Sequence, residues 1–181
     1  MVRNRSRSEF DEAYDDTEAG ASEDGVLRGA LLTETIRVLA PHVPLAVRPE
    51  TTVRDAIREM NQRHVGCAMV VDQAGKLVGI FTERDLLTKV VGHDKDPRTT
   101  LIGDAMTRNP ETLGLDDGLA FALNRMSVGG FRHIPLVDSN HKPVGLISVR
   151  DLIGFIVSLY PRSVLNLPPD PGLETSRMDG G

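Results

Sequence analysis

The chain holds a single cysteine and no tryptophan, and aromatic residues make up only 4% of it. One thiol excludes an internal disulfide, so burial and hydrogen bonding must hold the fold, as in a protein of the reducing cytoplasm. No stretch approaches the ~18 consecutive apolar residues of a membrane span, and the first residues lack the apolar segment of a secretory signal. A cytoplasmic protein that does not enter the membrane is the expectation. A basic stripe is missing too. The net charge is −5, and residues 1–25, with three basic and eight acidic side chains, account for all of it. The neutral remainder offers no surface of the kind nucleic acid requires. His42, His64, His93 and His141 are scattered in or near turns without acidic or cysteine partners at metal spacing, so no metal site is expected. Cys67 reads as a small apolar residue of the core, because no motif places a histidine base beside it.

What is present is an aliphatic chain, 40% hydrophobic over 181 residues, long enough for one compact domain or two small ones sharing a core. It is written twice. Gly79-Ile80-Phe81-Thr82-Glu83-Arg84-Asp85 returns as Gly145-Leu146-Ile147-Ser148-Val149-Arg150-Asp151, 66 residues on, and residues 43–87 align without a gap on 109–153 with 11 identities in 45 positions. Repeats of this kind are tandem structural units.

Read in order, residues 1–25 form a polar, acidic arm expected to be disordered. Residues 26–40 suggest an amphipathic lead-in helix stopped by Pro41, and in the 66-residue offset they correspond to the stretch around Ile102. The first repeat then predicts a short strand at 45–47 and a helix from Thr51 or Thr52 to about Arg63 with Val53, Ala56, Ile57 and Met60 on one face. A buried strand follows at 68–71, then a turn, a strand at 77–81 and a helix from Glu83 to Val91. Residues 92–100 form a linker. The second repeat predicts a strand near 112–113, a helix over 117–127, strands at 134–137 and 144–147, and a helix from Val149 to Leu159. Each repeat is β-α-β-β-α, giving an α/β (α+β) fold with units at 26–91 and 101–160. The tail 161–181, rich in proline, is expected to be mobile, with Val164, Leu165 and Leu167 as a minor dimer contact.

The repeated signature has two physical readings. Thr82-x-x-Asp85 and Ser148-x-x-Asp151 match the capping box, in which hydroxyl and acid satisfy the first turn of a helix, at about 0.5–2 kcal/mol for each cap. The same geometry suits a ligand. A helix N-terminus attracts anions, and Gly79 or Gly145 lets another group approach the strand closely. A first-turn carboxylate can accept hydrogen bonds from vicinal hydroxyls such as those of ribose. Together these features describe a nucleotide site. Among the neighbours, His133 reads equally as a structural histidine and as a phosphate ligand, and Arg132, before an apolar strand, as a ligand or salt-bridge residue.

The doubled pattern resembles a tandem pair of cystathionine β-synthase (CBS) domains, the Bateman module. Asp104-Ala105-Met106-Thr107-Arg108-Asn109-Pro110 resembles the family's opening D-x-M-T-x-x-P, and Arg132-His133-Ile134-Pro135-Leu136-Val137-Asp138 its central strand; the resemblance covers residues 36–160. It implies two repeats packed with pseudo-twofold symmetry around two clefts for adenine nucleotide (AMP, ADP or ATP, with Mg²⁺ where a polyphosphate carries it). Asp85 with Thr82 would serve one cleft and Asp151 with Ser148 the other, with Arg84 and Arg150 as phosphate or dimer contacts. Arg132 and His133 align on Gly66 and Cys67, so unequal clefts are expected. The Asp85 cleft, completed by Arg132 and His133, should take phosphorylated nucleotide, and the Asp151 cleft, facing Gly66 and Cys67, should be weaker or hold a nucleoside-like ligand. The resemblance further implies a homodimer and a regulated partner protein. No residues remain for a catalytic centre, so no enzyme activity is expected. The rival is a scaffolding pair whose clefts are vestigial and whose signature residues only cap helices.

Overall fold

The computed structural model describes residues 23–42 and 44–159. The acidic arm up to residue 22 and the tail from 161, with its contact at Val164, Leu165 and Leu167, lie outside them. The lead-in helix is shorter than its apolar pattern predicts. Helix α1 covers Glu23–Thr33, and after a break a single 3-10 turn, Ile36–Leu39, ends at Ala40 in the left-handed region.

The first repeat builds strand β1 (Ala46–Val47), helix α2 (Val53–Arg63), and strands β2 (Cys67–Val71) and β3 (Leu77–Thr82). Thr52 rather than Thr51 caps α2, its hydroxyl accepting from the Asp55 amide at 3.2 Å. Val53, Ala56 and Met60, at helical spacing, are buried under the sheet. Every residue of β2 is buried, which is why it reads as an unbroken apolar run rather than an alternating one.

After β3 the chain turns into a short α-helix, α3 (Glu83–Asp85), which widens into a π-helical turn (Leu86–Val90) and tightens into a 3-10 turn (Val91–His93). Helix α4 (Ile102–Ala105) and strand β4 (Thr107–Arg108) lead into the second repeat, made of helix α5 (Leu119–Gly129), strands β5 (His133–Val137) and β6 (Pro143–Ser148), and helix α6 (Val149–Leu159).

The duplication is exact in register. Cys67 pairs with Thr82 and Met69 with Ile80, as His133 pairs with Ser148 and Pro135 with Leu146, and both hairpins carry a bulge at their far end. The first sheet has four strands in the order β1-β2-β3-β4, with only β1 and β2 parallel. In the second, the edge strands shrink to single bridges, Leu113 to Leu136 and His42 to Leu146. The strand expected near 112–113 is therefore one bridge. The cause is Pro135. Its counterpart Met69 donates its amide to Leu45 at 2.8 Å, a bond a proline cannot make.

The lead-ins cross. Ile102, Ala105 and Met106, which precede the second repeat, pack into the core of the first with Val47, Val70, Phe81 and Val90. Ile36, before the first repeat, packs into the core of the second with Leu119, Ile134, Leu136 and Ile147. β4 correspondingly pairs with β3, Gly79 opposite Arg108, and His42 bridges to β6. Each repeat thus completes the other's sheet and core, which ties the two into one unit.

Candidate functional site

The two signature turns lie where β3 enters α3 and β6 enters α6, and both form the capping box that their residues predict. Asp85 Oδ2 accepts from the Thr82 amide at 2.9 Å and the Thr82 hydroxyl at 2.7 Å, while the Asp85 amide donates back to that hydroxyl at 3.2 Å. Asp151 Oδ2 accepts from the Ser148 amide at 2.7 Å and hydroxyl at 2.8 Å, and the Asp151 amide donates to the Ser148 hydroxyl at 3.4 Å. One further amide at each helix start is used internally. Glu83 donates to the Gly66 carbonyl and Val149 to the Arg132 carbonyl, at 3.2 and 3.0 Å, which ties each signature turn to the entry of its neighbouring central strand and leaves fewer amides for an anion than a bare helix end would offer.

A cavity opens beside each turn. The first, about 210 Å³, is lined by Thr82, Arg84, Asp85, Arg132 and His133, together with Thr107, Glu111 and Phe131. The second, about 710 Å³, is lined by Ser148, Arg150 and Asp151, together with Cys67, His42, His64 and Met60. Gly66, Glu83, Arg132 and His133 line both. Sequence reasoning allots Arg132 and His133 to the Asp85 cleft and Gly66 to the other; in the structure these residues stand between the clefts and face each. The two central-strand entries are equivalent positions of the duplication, so its symmetry brings them to the boundary.

Gly79 and Gly145 are not brought to either cavity. A Cβ on Gly79 would lie 2.4 Å from Met106 Sδ and 3.0 Å from the Thr107 carbonyl, and one on Gly145 would lie 3.0 Å from Pro41. The close approach that requires glycine is that of the crossing lead-in. Thr107, Glu111, His42 and His64 are cavity residues that sequence reasoning did not assign to a cleft. Thr107 and His42 reach the clefts only through the crossing of the lead-ins, which local periodicity does not reveal.

The electrostatics of the walls differ. Asp85, only 6% exposed, forms an ion pair with Lys89 at 2.6 Å, and Thr107 donates to its Oδ1 at 3.0 Å. Glu111 is paired with Arg125. Among the described residues, the Arg84 side chain reaches only the Gly130 carbonyl, at 3.4 Å. Burial, with Arg132 beside it, holds His133 below the ordinary imidazole range, while Glu83 and Asp151 pull the other way. Burial, and then Glu83, pushes the Cys67 thiol up to about 12. Among the described residues no cluster of three or more His, Cys, Asp or Glu side chains could hold a metal ion, and no helix is long and apolar enough to cross a membrane.

Comparisons with known proteins agree with this fold. A protein of 17.7 kDa from Acidianus ambivalens, described as uncharacterized, is 32% identical over 114 residues, which are 63% of this chain and 68% of that one. The CBS domain-containing protein CBSCBSPB2 of Arabidopsis thaliana is 35% identical over 115 residues, but the match spans only 21% of its length. A CBS domain protein from Pyrobaculum aerophilum, solved in complex with AMP, superposes with a TM-score of 0.63 at 23% identity, over 71% of this chain and 99% of that one; at that identity the likeness carries the fold alone. The family profile of the CBS domain matches residues 39–92 and again 102–158. The chain therefore belongs to the CBS domain family and carries the domain as a tandem pair.

Proposed function

We propose that this tandem pair is a non-catalytic regulatory module that binds an adenine nucleotide between its repeats and passes its occupancy to a partner protein. The observation that carries this reading is the pairing of a first-turn carboxylate with cationic side chains at one concave site. Asp151 stands with Arg150 and Arg132 around the larger cavity, and Asp85 with Arg84 and Arg132 around the smaller. The carboxylates suit the ribose hydroxyls, and Thr82 and Ser148 the adjoining ribose and phosphate. The arginines suit the phosphate oxygens, and apolar residues such as Ile80 and Leu146 of the strands, with Leu45 just before β1, suit the base. Any Mg²⁺ would arrive with a polyphosphate, held by its oxygens.

Signalling would follow from a ligand that touches both repeats and so favours one arrangement of the pair. A homodimer is the expected framework. Exposed apolar residues on helical segments, among them Leu87 and Val91 after α3 and Ile153 on α6, support a partnered helical face. The scaffolding alternative draws support from the two complete capping boxes, which account for Thr82, Asp85, Ser148 and Asp151 without a ligand. Titration calorimetry with AMP, ADP, ATP and S-adenosylmethionine separates the two. Saturable binding of an adenosine ligand is expected, and heat of dilution alone across the panel would leave the scaffold.

A further inference from the structure

The two signature carboxylates are equivalent at Oδ2 and different at Oδ1. Asp85 Oδ1 accepts from the Thr107 hydroxyl at 3.0 Å and from the Lys89 ammonium at 2.6 Å. Lys89 also donates to the Thr107 hydroxyl at 2.9 Å, which closes a triangle. With two donors on Oδ2 as well, all of the about four lone-pair positions of a carboxylate are taken. A vicinal diol arriving at Asp85 would have to displace an ammonium and a hydroxyl that are already in place.

Asp151 carries the same two bonds on Oδ2, and among the described residues nothing donates to its Oδ1. The counterpart of Lys89 in the 66-residue offset is Phe155, which packs against the second core. The counterpart of Thr107 is Pro41 by offset and His42 by sheet pairing, and neither donates to Asp151. The helices differ in the same place. Lys89 sits in the π-helical turn that follows Asp85, a feature often found at functional sites, whereas α6 is α-helical throughout.

Size and charge point the same way. Sites for small ligands occupy roughly 300–1,000 Å³; the cavity at Asp85, about 210 Å³, falls short of this, and the one at Asp151, about 710 Å³, falls within it. The smaller cavity adds the carboxylates of Glu83 and Glu111 to that of Asp85. The larger adds only Glu83 to Asp151, against Arg132 and Arg150, neither of which has a carboxylate partner among the described residues.

From this we infer that Lys89 and Thr107 act as an internal stand-in for the ribose at Asp85, closing the first cleft, and that nucleotide enters the second cleft on Asp151. The inference rests on the nucleotide-binding reading and reverses the ranking that the sequence suggests.

The test is calorimetric titration with AMP of the wild type, Asp151→Asn, a Lys89→Met/Thr107→Val double variant, and the triple combination, with melting curves to confirm folding. The wild type is expected to bind one AMP per chain, and Asp151→Asn to lose at least about tenfold in affinity, the scale of a charged hydrogen bond. The double variant is expected to bind two AMP per chain, and the triple variant one, through Asp85. Should the double variant not fold, Lys89→Met alone, which keeps both capping bonds of Asp85, carries the same expectation of a second site. Undiminished binding in Asp151→Asn, or a stoichiometry that stays at one when Lys89 is removed, overturns the assignment while leaving nucleotide binding intact. A wild type that binds none of AMP, ADP, ATP and S-adenosylmethionine brings down the underlying reading, and this inference with it.

Discussion

Removing each signature carboxylate should cost unequal amounts of stability, and the structure gives the ratio. Asp85→Ala breaks a capping box and, beyond it, the bonds to Thr107 and Lys89. A cap is worth about 1 kcal/mol. The Thr107 bond adds about 1 kcal/mol. The Lys89 side chain is 38% exposed, so solvent screens its ion pair and holds that contribution to about 1 kcal/mol as well. The expected loss is about 3 kcal/mol in all. Asp151→Ala removes only the capping bonds on Oδ2, a loss of about 1 kcal/mol. For a chain of this length about 1 kcal/mol moves the melting temperature by roughly 2–4 °C. Asp85→Ala should therefore melt about 6–12 °C below the wild type, and Asp151→Ala about 2–4 °C below. Thermal denaturation followed by circular dichroism, without ligand, reads both. Equal shifts for the two variants would refute the claim that Asp85 is bound up internally, whatever either does to ligand affinity.

Three further outcomes follow from the same contacts. Gly79→Ala should destabilise by about 1–3 kcal/mol through overpacking, because the new Cβ meets the Thr107 backbone carbonyl as well as Met106; an unchanged urea midpoint would mean that β4 does not pack there. Cys67, buried and with its thiol pushed up to about 12, should not react with a disulfide reagent at pH 8 until guanidinium unfolds the chain, and prompt labelling of the native protein would contradict its placement. His133 is held below its ordinary value of 6.5, chiefly by burial and then by Arg132. The unfolded chain therefore takes up a proton that the folded one refuses, and His133 costs stability as pH falls below about 6.5. His133→Gln should lose less melting temperature than the wild type between pH 7.5 and 5.5, and parallel curves would remove this role.

Much of the fold is legible because the repeat is written twice. The buried faces of α2 and α5, the continuous apolar run of β2 and the strand-to-helix turn at Thr82 and Ser148 are local patterns that the duplication confirms. What escapes is whatever depends on the crossing of the lead-ins. Ile102 and Met106 read as the start of the second repeat but pack in the first core, and Gly79 reads as a ligand approach when the group that approaches is Met106. Thr107 could not be assigned to Asp85 before that crossing was known. Two local signals in the sequence do bear on these features. Asp85 and Lys89 stand at the i, i+4 spacing of a helical ion pair, and Pro135 in a central strand announces the loss of an edge bond.

On the reading proposed above, this CBS pair binds an adenine nucleotide through its signature carboxylates. Calorimetric titration of the wild type beside an Asp85→Asn/Asp151→Asn double variant, both shown to be folded, tests it most directly. Saturable binding of AMP, ADP, ATP or S-adenosylmethionine by the wild type, abolished in the double variant, is the predicted result. Binding that persists undiminished in the double variant, or its absence from the wild type, would contradict it.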